Sequence, residues 1–166
     1  DALLAHQDEI LAANAVDLDR GRAAGLSSTV LARLTLTAER LVSIANDVRA
    51  LSLLADPVGE MIEMRTLPNG LMVGKMRVPF GVIGAIYENR PNVTVDIASI
   101  CLKAGSATIL RGGKEARESN IVLGRVIRAS FAAAGVPEAA VQVIESSDRA
   151  IVAEMLQLKQ YIDLVV

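Results

Sequence analysis

The stretch from Pro79 to Ala116 constrains the fold of this chain more than any other, because it combines apolar runs, a helical pattern and polar loops. Val82 to Ile86 is rich in β-branched residues and has no polar alternation, which is typical of a strand buried on both faces. Ala107 to Leu110 predicts a second such strand. Between them, apolar residues recur at helical spacing: Val93, Ile97, Ile100, Cys101 and Ala104. This order predicts a βαβ unit with parallel strands.

The rest of the chain predicts helices before this unit and alternating helices and strands after it. Before the unit we expect an opening helix from Leu3 to Leu11, a connection from Asn14 to Ser28, a short helix from Thr29 to Leu34, and a long helix capped by Thr37. After it we expect a helix from Ser119 to Ala134, a strand from Val141 to Ile144, a helix capped by Ser147, and a strand from Ile162 to Val166. The prediction is therefore an α/β fold, a doubly wound, Rossmann-like parallel sheet with helices on both faces.

A protruding β-hairpin is predicted between Met61 and Val78. Two extended runs flank Pro68-Asn69-Gly70, which is a strong turn signal. A lone two-stranded hairpin is marginal in water, so this one needs a partner surface. That surface belongs either to the same chain or to a neighbouring subunit. We favour the subunit, because the hairpin is inserted just before the sheet begins.

Composition excludes several classes of protein. The net charge of -2 argues against a nucleic-acid binder, which needs a concentrated basic face. A single cysteine allows no internal disulfide, which fits a reducing compartment, and we expect a cytoplasmic protein. No apolar run reaches the roughly 18 to 20 residues of a membrane span. Because the chain opens in a helical pattern and stops inside a strand, we expect it to be a fragment of a longer protein.

Polar residues cluster after the predicted strands. The carboxyl ends of parallel strands meet at one edge of a sheet, so we expect Tyr87 to Asn92, Arg111 to Glu115 and Glu145 to Asp148 to line one crevice. Arg111 and Lys114 supply positive charge, and the two glycines between them allow backbone N–H groups to approach closely. The ligand should therefore be anionic. The chain lacks both the G-x-G-x-x-G fingerprint and the G-x-x-x-x-G-K-[ST] loop, so a nucleotide would be held in another way.

Several single residues have a structural interpretation as well as a functional one. Cys101 lies on an apolar helix face, which favours a buried core thiol over a nucleophile. His6 has no Cys or His neighbours and is expected at the surface, and we expect no metal site. Glu88 and Asp96 are either a carboxylate pair or groups at a loop and a helix start. Arg111 is either a solvated charge or a phosphate ligand, and its place after a strand favours the second role.

The central segment resembles the gamma-glutamyl phosphate reductase family, a divergent branch of the aldehyde dehydrogenase superfamily. The residues that carry the resemblance are P-F-G-V-I-G-A-I-Y-E-N-R-P-N-V-T-V-D followed by C-L-K-A-G-S-A-T-I-L-R-G-G-K-E-A. It extends through the hairpin R-T-L-P-N-G-L to the closing Y-I-D-L-V-V, and so covers essentially the whole chain.

The resemblance implies NADPH-dependent reduction of L-glutamate 5-phosphate to L-glutamate 5-semialdehyde and phosphate in proline biosynthesis. In the family a cysteine thiolate attacks the acyl phosphate and the resulting thioester takes the hydride. That cysteine belongs to a catalytic domain beyond the end of this chain, so Cys101 is not its counterpart. The chain would be the N-terminal part: a helical layer at 1–57, an oligomerisation hairpin at 58–78, and a cofactor-binding core at 79–166.

The resemblance also implies roles for individual residues. The superfamily's cofactor-binding lysine falls on Arg111, and arginine keeps the charge while favouring a bidentate grip on phosphate. The oxyanion-holding amide of the superfamily falls near Arg90 or Asn92. The residues expected at the NADPH site are Ile86, Tyr87, Arg111, Gly112, Gly113 and Glu115. The implied partners are further copies of the chain and glutamate kinase of the same pathway.

Two other functions stay open at this point. One is a general aldehyde dehydrogenase, which assays in both reaction directions would separate. The other is a complete, non-catalytic nucleotide-binding or scaffolding module. The intact mass of the natural product would distinguish this module from a fragment of an enzyme.

Overall fold

The computed structural model describes residues 1–166 and contains a four-stranded sheet, seven helices and a separate hairpin. In chain order the elements are α1 (Ala2–Ala5), α2 (Gln7–Ala23), α3 (Ser28–Leu34), α4 (Ala38–Ser52), β1 (Met61–Thr66), β2 (Met72–Met76), β3 (Val82–Ile86), α5 (Asn92–Lys103), β4 (Ala107–Arg111), α6 (Arg117–Ala133), β5 (Val141–Val143), α7 (Ala150–Gln157) and β6 (Leu164–Val165). Short 3₁₀ turns cover Lys114–Ala116 and Glu138–Ala140. None of the helices combines the length and apolar character needed to cross a lipid bilayer.

All four strands of the sheet are parallel, in the order β5-β4-β3-β6. Ile86 at the end of β3 lies opposite Arg111 at the end of β4, and the Tyr87 N–H donates to the Arg111 carbonyl over 3.1 Å. The chain steps outward from β3 to β5 and then returns to pair β6 on the other side of β3. This arrangement confirms the predicted α/β fold and brings the carboxyl ends of β3 and β4 to the same edge.

The sheet is covered on both faces. Ala85 and Leu110 belong to one apolar core with Val95 of α5 and Leu123 of α6. Successive residues of a strand point to opposite faces, so Gly84 faces away from this core. There α7 packs so closely that a Cβ on Gly84 would lie 3.3 Å from the Met155 methyl group. The α1, α2 and α4 helices form a further layer outside α5 and α6.

The predicted connection from Asn14 to Ser28 is wrong, because α2 continues to Ala23. A helix is predicted from apolar residues at helical spacing, but the buried face of α2 continues after Ile10 with the polar residues Asn14 and Asp17. Asn14 donates to the Leu34 carbonyl over 2.9 Å and to Ser119 Oγ over 3.0 Å, and its Oδ1 accepts from the Leu36 N–H over 2.8 Å. Buried polar groups are tolerated when all their hydrogen bonds are formed inside the fold. This side chain therefore ties α2 to α3 and α6 without an apolar stripe.

Asp17 of α2 caps the N-terminus of α6 from a distance in sequence. Its carboxylate accepts from the Glu118 N–H over 3.1 Å, from the Ser119 N–H over 2.8 Å and from Ser119 Oγ over 2.7 Å. The side chain is fully buried. Helix N-termini leave N–H groups unpaired, and a negative charge placed there is favourable. Asp17 thus supplies the cap that residue Ala116, just before α6, lacks.

One of the two predicted helix caps is confirmed and the other is wrong. Thr37 Oγ1 accepts from the Arg40 N–H over 3.2 Å at the start of α4. Ser147 does not cap α7. That helix begins only at Ala150, whose N–H donates to Asp148 Oδ1 over 2.9 Å. The closing strand is also shorter than predicted, at Leu164–Val165.

The hairpin of β1 and β2 is confirmed, with Gly70 in the turn at a φ of +83°. An irregularity in the pairing lies between Ile62 and Arg65, where Glu63 has a φ of +53°. One face carries four exposed methionines around Gly74: Met61, Met64, Met72 and Met76. The two strands pack mainly against each other, so this face is not covered by the rest of the chain.

Candidate functional site

Residues that follow β3, β4 and β5 meet at the carboxyl edge of the sheet, as the sequence predicts. They enclose a cleft of about 170 Å³, called here the Arg111 cleft. Its lining consists of Glu88, Asn89, Arg111, Gly113, Lys114, Glu115, Ser147 and Arg149. Arg111, Lys114 and Arg149 take part in no ion pair. The three cations outnumber the two carboxylates of the lining, Glu88 and Glu115, and form no ion pair with them, so the cleft is a suitable place for an anion.

Arg111 is the best-positioned of these cations. It is the last residue of β4 and only 7% exposed. One terminal nitrogen donates to the Ser147 carbonyl over 3.3 Å, whereas Nε is buried and has no hydrogen-bond partner. Leaving a charged donor buried and unpaired is costly. A ligand oxygen that accepted from Nε would remove that cost.

Asn89 belongs to the segment predicted to line the crevice, although the sequence gives it no individual role. Its backbone is left-handed, with a φ of +52°, and its buried Oδ1 has no hydrogen-bond partner. Asparagine is one of the few residues other than glycine that adopt this conformation. A Cβ on Gly113 would lie 3.5 Å from the Asn89 backbone nitrogen and 2.9 Å from Glu115 Oε2. The lack of a side chain at Gly113 therefore keeps this part of the cleft open.

Three of the predicted cofactor residues do not line the Arg111 cleft: Ile86, Tyr87 and Gly112. The Tyr87 hydroxyl donates to Thr94 Oγ1 over 2.6 Å, and that hydroxyl donates to Asn120 Oδ1 over 2.8 Å. Burial raises the pKa of Tyr87 to about 12, which keeps the phenol neutral. A Cβ on Gly112 would collide with the amide nitrogen of Asn120. These residues support the cleft from behind through a buried polar network.

The amides at the start of α6 are not free for phosphate. The backbone N–H groups of Glu118 and Ser119 donate to Asp17. Positive charge in the cleft therefore comes from side chains.

Arg90 and Asn92 line a different cleft from Arg111. They contribute to an open cavity of about 810 Å³ between α3, α4 and the loop after β3, called here the α3–α4 cavity. Asn92 Nδ2 donates to Asp96 Oδ2 over 2.9 Å. Burial, and less strongly the charge of Asp47, raise the pKa of Asp96. Glu88 lines the Arg111 cleft, so the two carboxylates of the suggested pair have different surroundings.

The remaining reactive side chains have structural surroundings. Cys101 is 4% exposed, and burial raises the pKa of its thiol, so the predicted core thiol is confirmed. His6 is exposed, as expected, with Nδ1 2.9 Å from the Ala2 carbonyl. No group of three or more His, Cys, Asp or Glu side chains is arranged to hold a metal ion.

Comparison with known proteins identifies close relatives. A gamma-glutamyl phosphate reductase from Tolumonas auensis is 54% identical over 160 residues, which are 96% of this chain and 38% of that protein. The crystal structure of gamma-glutamyl phosphate reductase from Thermotoga maritima superimposes with a TM-score of 0.95 at 38% identity, covering 99% of this chain and 40% of that one. The chain matches part of gamma-glutamyl phosphate reductase in sequence and in fold. It spans about two fifths of the length of these relatives. No protein-family model matches the chain.

More distantly related structures resemble this chain in fold but have little sequence identity with it. An acetylating aldehyde dehydrogenase from Geobacillus thermoglucosidasius superimposes with a TM-score of 0.73 at 19% identity, over 99% of this chain and 33% of that one. An engineered glycolyl-CoA reductase with bound NADP⁺ superimposes with a TM-score of 0.57 at 21% identity, over 95% of this chain and 41% of that one. The chain therefore has the α/β fold of one part of these aldehyde dehydrogenase-like proteins.

Proposed function

We propose that this chain is the cofactor-binding part of an enzyme that reduces L-glutamate 5-phosphate to L-glutamate 5-semialdehyde and phosphate in proline biosynthesis, with NADPH as the reductant. The relatives named gamma-glutamyl phosphate reductase support the reaction. The observation that carries the cofactor role is the pair of buried, unpartnered polar atoms in one cleft, Nε of Arg111 and Oδ1 of Asn89.

The Arg111 cleft fits the polar part of a dinucleotide. Nε of Arg111 is a donor for a phosphate oxygen, and Oδ1 of Asn89 is an acceptor for a ribose hydroxyl. Glu115 is half-buried in the same cleft and offers a carboxylate to a second hydroxyl. Lys114 and Arg149 add two further positive charges, which favours NADPH over NADH because NADPH carries an additional phosphate. The cofactor, when bound, supplies the hydride.

The proposed reaction needs an amide that holds the oxyanion, which we place in this chain, and a nucleophilic cysteine, which we place in other polypeptide. Among the polar residues after β3, Asn89 lines the Arg111 cleft, whereas Arg90 and Asn92 line the α3–α4 cavity. We therefore assign the oxyanion-holding amide to Asn89 in place of Asn92 or Arg90. The nucleophilic cysteine lies outside this chain, because Cys101 is buried in the core.

The uncovered methionine face of the hairpin supports a role in assembly. Exposed apolar surface of this kind is typical of a protein interface, and methionine adapts readily to a partner surface. We propose that residues 58–78 form an arm through which copies of the protein associate. Glutamate kinase, which supplies the acyl phosphate, is the proposed pathway partner, and the cytoplasm is the proposed location.

Substitution of Arg111 tests the cofactor assignment directly. In the full-length enzyme, Arg111→Ala should weaken NADPH binding by about 1 to 3 kcal/mol, the range for a hydrogen bond to a charged group. Arg111→Lys should recover only part of this loss, because lysine keeps the charge but lacks the planar fork. The measurement is titration calorimetry with NADPH. Arg22→Ala is the matched control, because Arg22 forms an exposed ion pair with Asp19 away from the cleft. Unchanged affinity in Arg111→Ala would count against the assignment.

A further inference from the structure

The α3–α4 cavity has the chemistry of a binding site that is separate from the Arg111 cleft. It lies between α3, α4 and the loop after β3, with a volume of about 810 Å³. Most of its lining is polar or charged: Ser28, Thr29, Arg33, Thr35, Arg40, Ser43, Asp47, Arg90 and Asn92. A cavity of this size accommodates a small metabolite. Its polar lining favours a charged ligand over an apolar one.

The arginines that line the cavity have no carboxylate partners in the protein. Arg33, Arg40 and Arg90 form no ion pair, whereas eight other basic residues of the chain do. Arg40 is held in place by donating to the carbonyls of Ala32 over 2.9 Å and Thr35 over 2.5 Å. Three arginines from three segments of the chain thus line one cavity. Guanidinium groups bind carboxylate and phosphate with good geometry.

The same lining also carries negative charge. Asp47 of α4 and Asn92 both line the cavity, and the Asn92 amide donates a hydrogen bond to Asp96. Burial raises the pKa of Asp96, and repulsion from the charge of Asp47 adds to this effect. A positively charged group on a ligand would relieve this repulsion. The cavity therefore offers cations and an anion together, as a zwitterion requires.

We propose that the α3–α4 cavity binds the amino-acid end of the substrate, with Arg33 and Arg90 holding its α-carboxylate and Asp47 its α-ammonium group. The identity of the substrate rests on the function proposed above. Arg90 and Asn89 are adjacent residues, so their Cα atoms lie about 3.8 Å apart. Because one lines the cavity and the other the Arg111 cleft, a substrate held at its amino-acid end presents its acyl end towards the cofactor.

Kinetics of the full-length enzyme test this proposal in the oxidative direction, with L-glutamate 5-semialdehyde, phosphate and NADP⁺. Arg33→Ala and Arg90→Ala should each raise KM for the semialdehyde at least about tenfold, as expected for the loss of a charge-assisted hydrogen bond. The Kd for NADPH, measured by calorimetry, should stay within about twofold of the wild-type value, because the cofactor contacts lie in the other cleft. Arg22→Ala, the surface control, should change neither quantity.

A substrate analogue separates the two charges. 5-Oxopentanoate keeps the carboxylate and the aldehyde but lacks the ammonium group. Asp47→Asn should therefore raise KM for the semialdehyde and leave KM for 5-oxopentanoate unchanged, whereas Arg33→Ala should raise both. A merely structural effect of these substitutions would not depend on which aldehyde is supplied.

Other results would overturn the assignment while leaving the reaction intact. If the enzyme oxidises the semialdehyde and the arginine variants keep a wild-type KM, the cavity is not the amino-acid site. If they raise KM for phosphate alone, the arginines hold phosphate instead. If the wild-type enzyme oxidises none of these aldehydes, the proposed function is wrong, and calorimetry with L-glutamate then decides on the cavity. Binding that is lost in Arg90→Ala would support an amino-acid site, and absence of binding would refute it.

Discussion

Asp17 and Arg111 are the two buried charged side chains of this protein, and their surroundings differ. The Asp17 carboxylate accepts three hydrogen bonds from two residues of α6. Arg111 donates one long bond to a carbonyl and has a buried Nε without a partner. A buried charge whose hydrogen bonds are complete stabilises the fold, whereas one with free bonding capacity indicates a ligand. The first is therefore structural and the second functional.

Asp17→Ala should destabilise the protein by about 2 to 3 kcal/mol, because it removes a helix cap and leaves buried donors unpaired. Asp17→Asn should cost less, since the amide oxygen still accepts. The measurement is the urea midpoint of unfolding. Asp19→Ala is the matched control, because Asp19 is an exposed carboxylate on the same helix that pairs only with Arg22. Exposed pairs contribute at most about 1 kcal/mol. Equal shifts in Asp17→Ala and Asp19→Ala would refute the capping role.

At the scale of elements, the sequence predicts the βαβ unit well because its signals are local. Val82–Ile86 is a strand as predicted, and the second strand extends by only one residue to Arg111. The end of α2 could not be predicted, because its buried residues Asn14 and Asp17 bond to helices distant in the sequence. The spacing of apolar residues gives no information about hydrogen bonds to residues that are distant in the sequence.

The candidate site was predicted at the level of the sheet edge but not of single side chains. Parallel topology alone brings the residues after β3, β4 and β5 together. Within the loop after β3, however, no periodicity determines which way a side chain points. Asn89 lines the Arg111 cleft and the next residue, Arg90, lines the α3–α4 cavity. The backbone of Asn89 is left-handed at the point where the two linings separate, and the sequence alone does not predict this conformation.

The hairpin makes a prediction about assembly. Met72 and Met76 are 66% and 57% exposed and lie on the same face of β2 as Gly74, because alternate residues of a strand share a face. Replacing both by serine should raise the dissociation constant of the assembled protein at least about tenfold, since buried apolar area is lost from the interface. Sedimentation velocity measures the change.

Leu53→Ser is the control for the hairpin variant, because Leu53 is 87% exposed and lies outside the hairpin. It should leave assembly unchanged. A wild-type protein that sediments as a monomer, or a double variant that assembles as the wild type does, would rule out the hairpin as an assembly arm.

At the scale of the whole molecule, the chain contains the two proposed binding sites but no reactive cysteine for the proposed reaction. The Arg111 cleft and the α3–α4 cavity lie on either side of one loop, which is a sensible arrangement for a cofactor and a substrate that react with each other. The only cysteine is buried among core residues, and burial raises the pKa of its thiol. A thiol in such surroundings is unreactive. The proposed function therefore assigns the reacting sulfur to polypeptide outside this chain.

The natural protein should therefore be much larger than this chain. Intact mass spectrometry of the product from its source should give a mass more than twice 17.5 kDa, because the chain covers about two fifths of its relatives. Iodoacetamide should abolish reductase activity and label a cysteine other than Cys101, which stays protected because it is buried. The isolated 166-residue chain should show no turnover. A natural product of 17.5 kDa would instead support a non-catalytic nucleotide-binding module. Inactivation that accompanied labelling of Cys101 alone would contradict the division of labour between this chain and the rest of the enzyme.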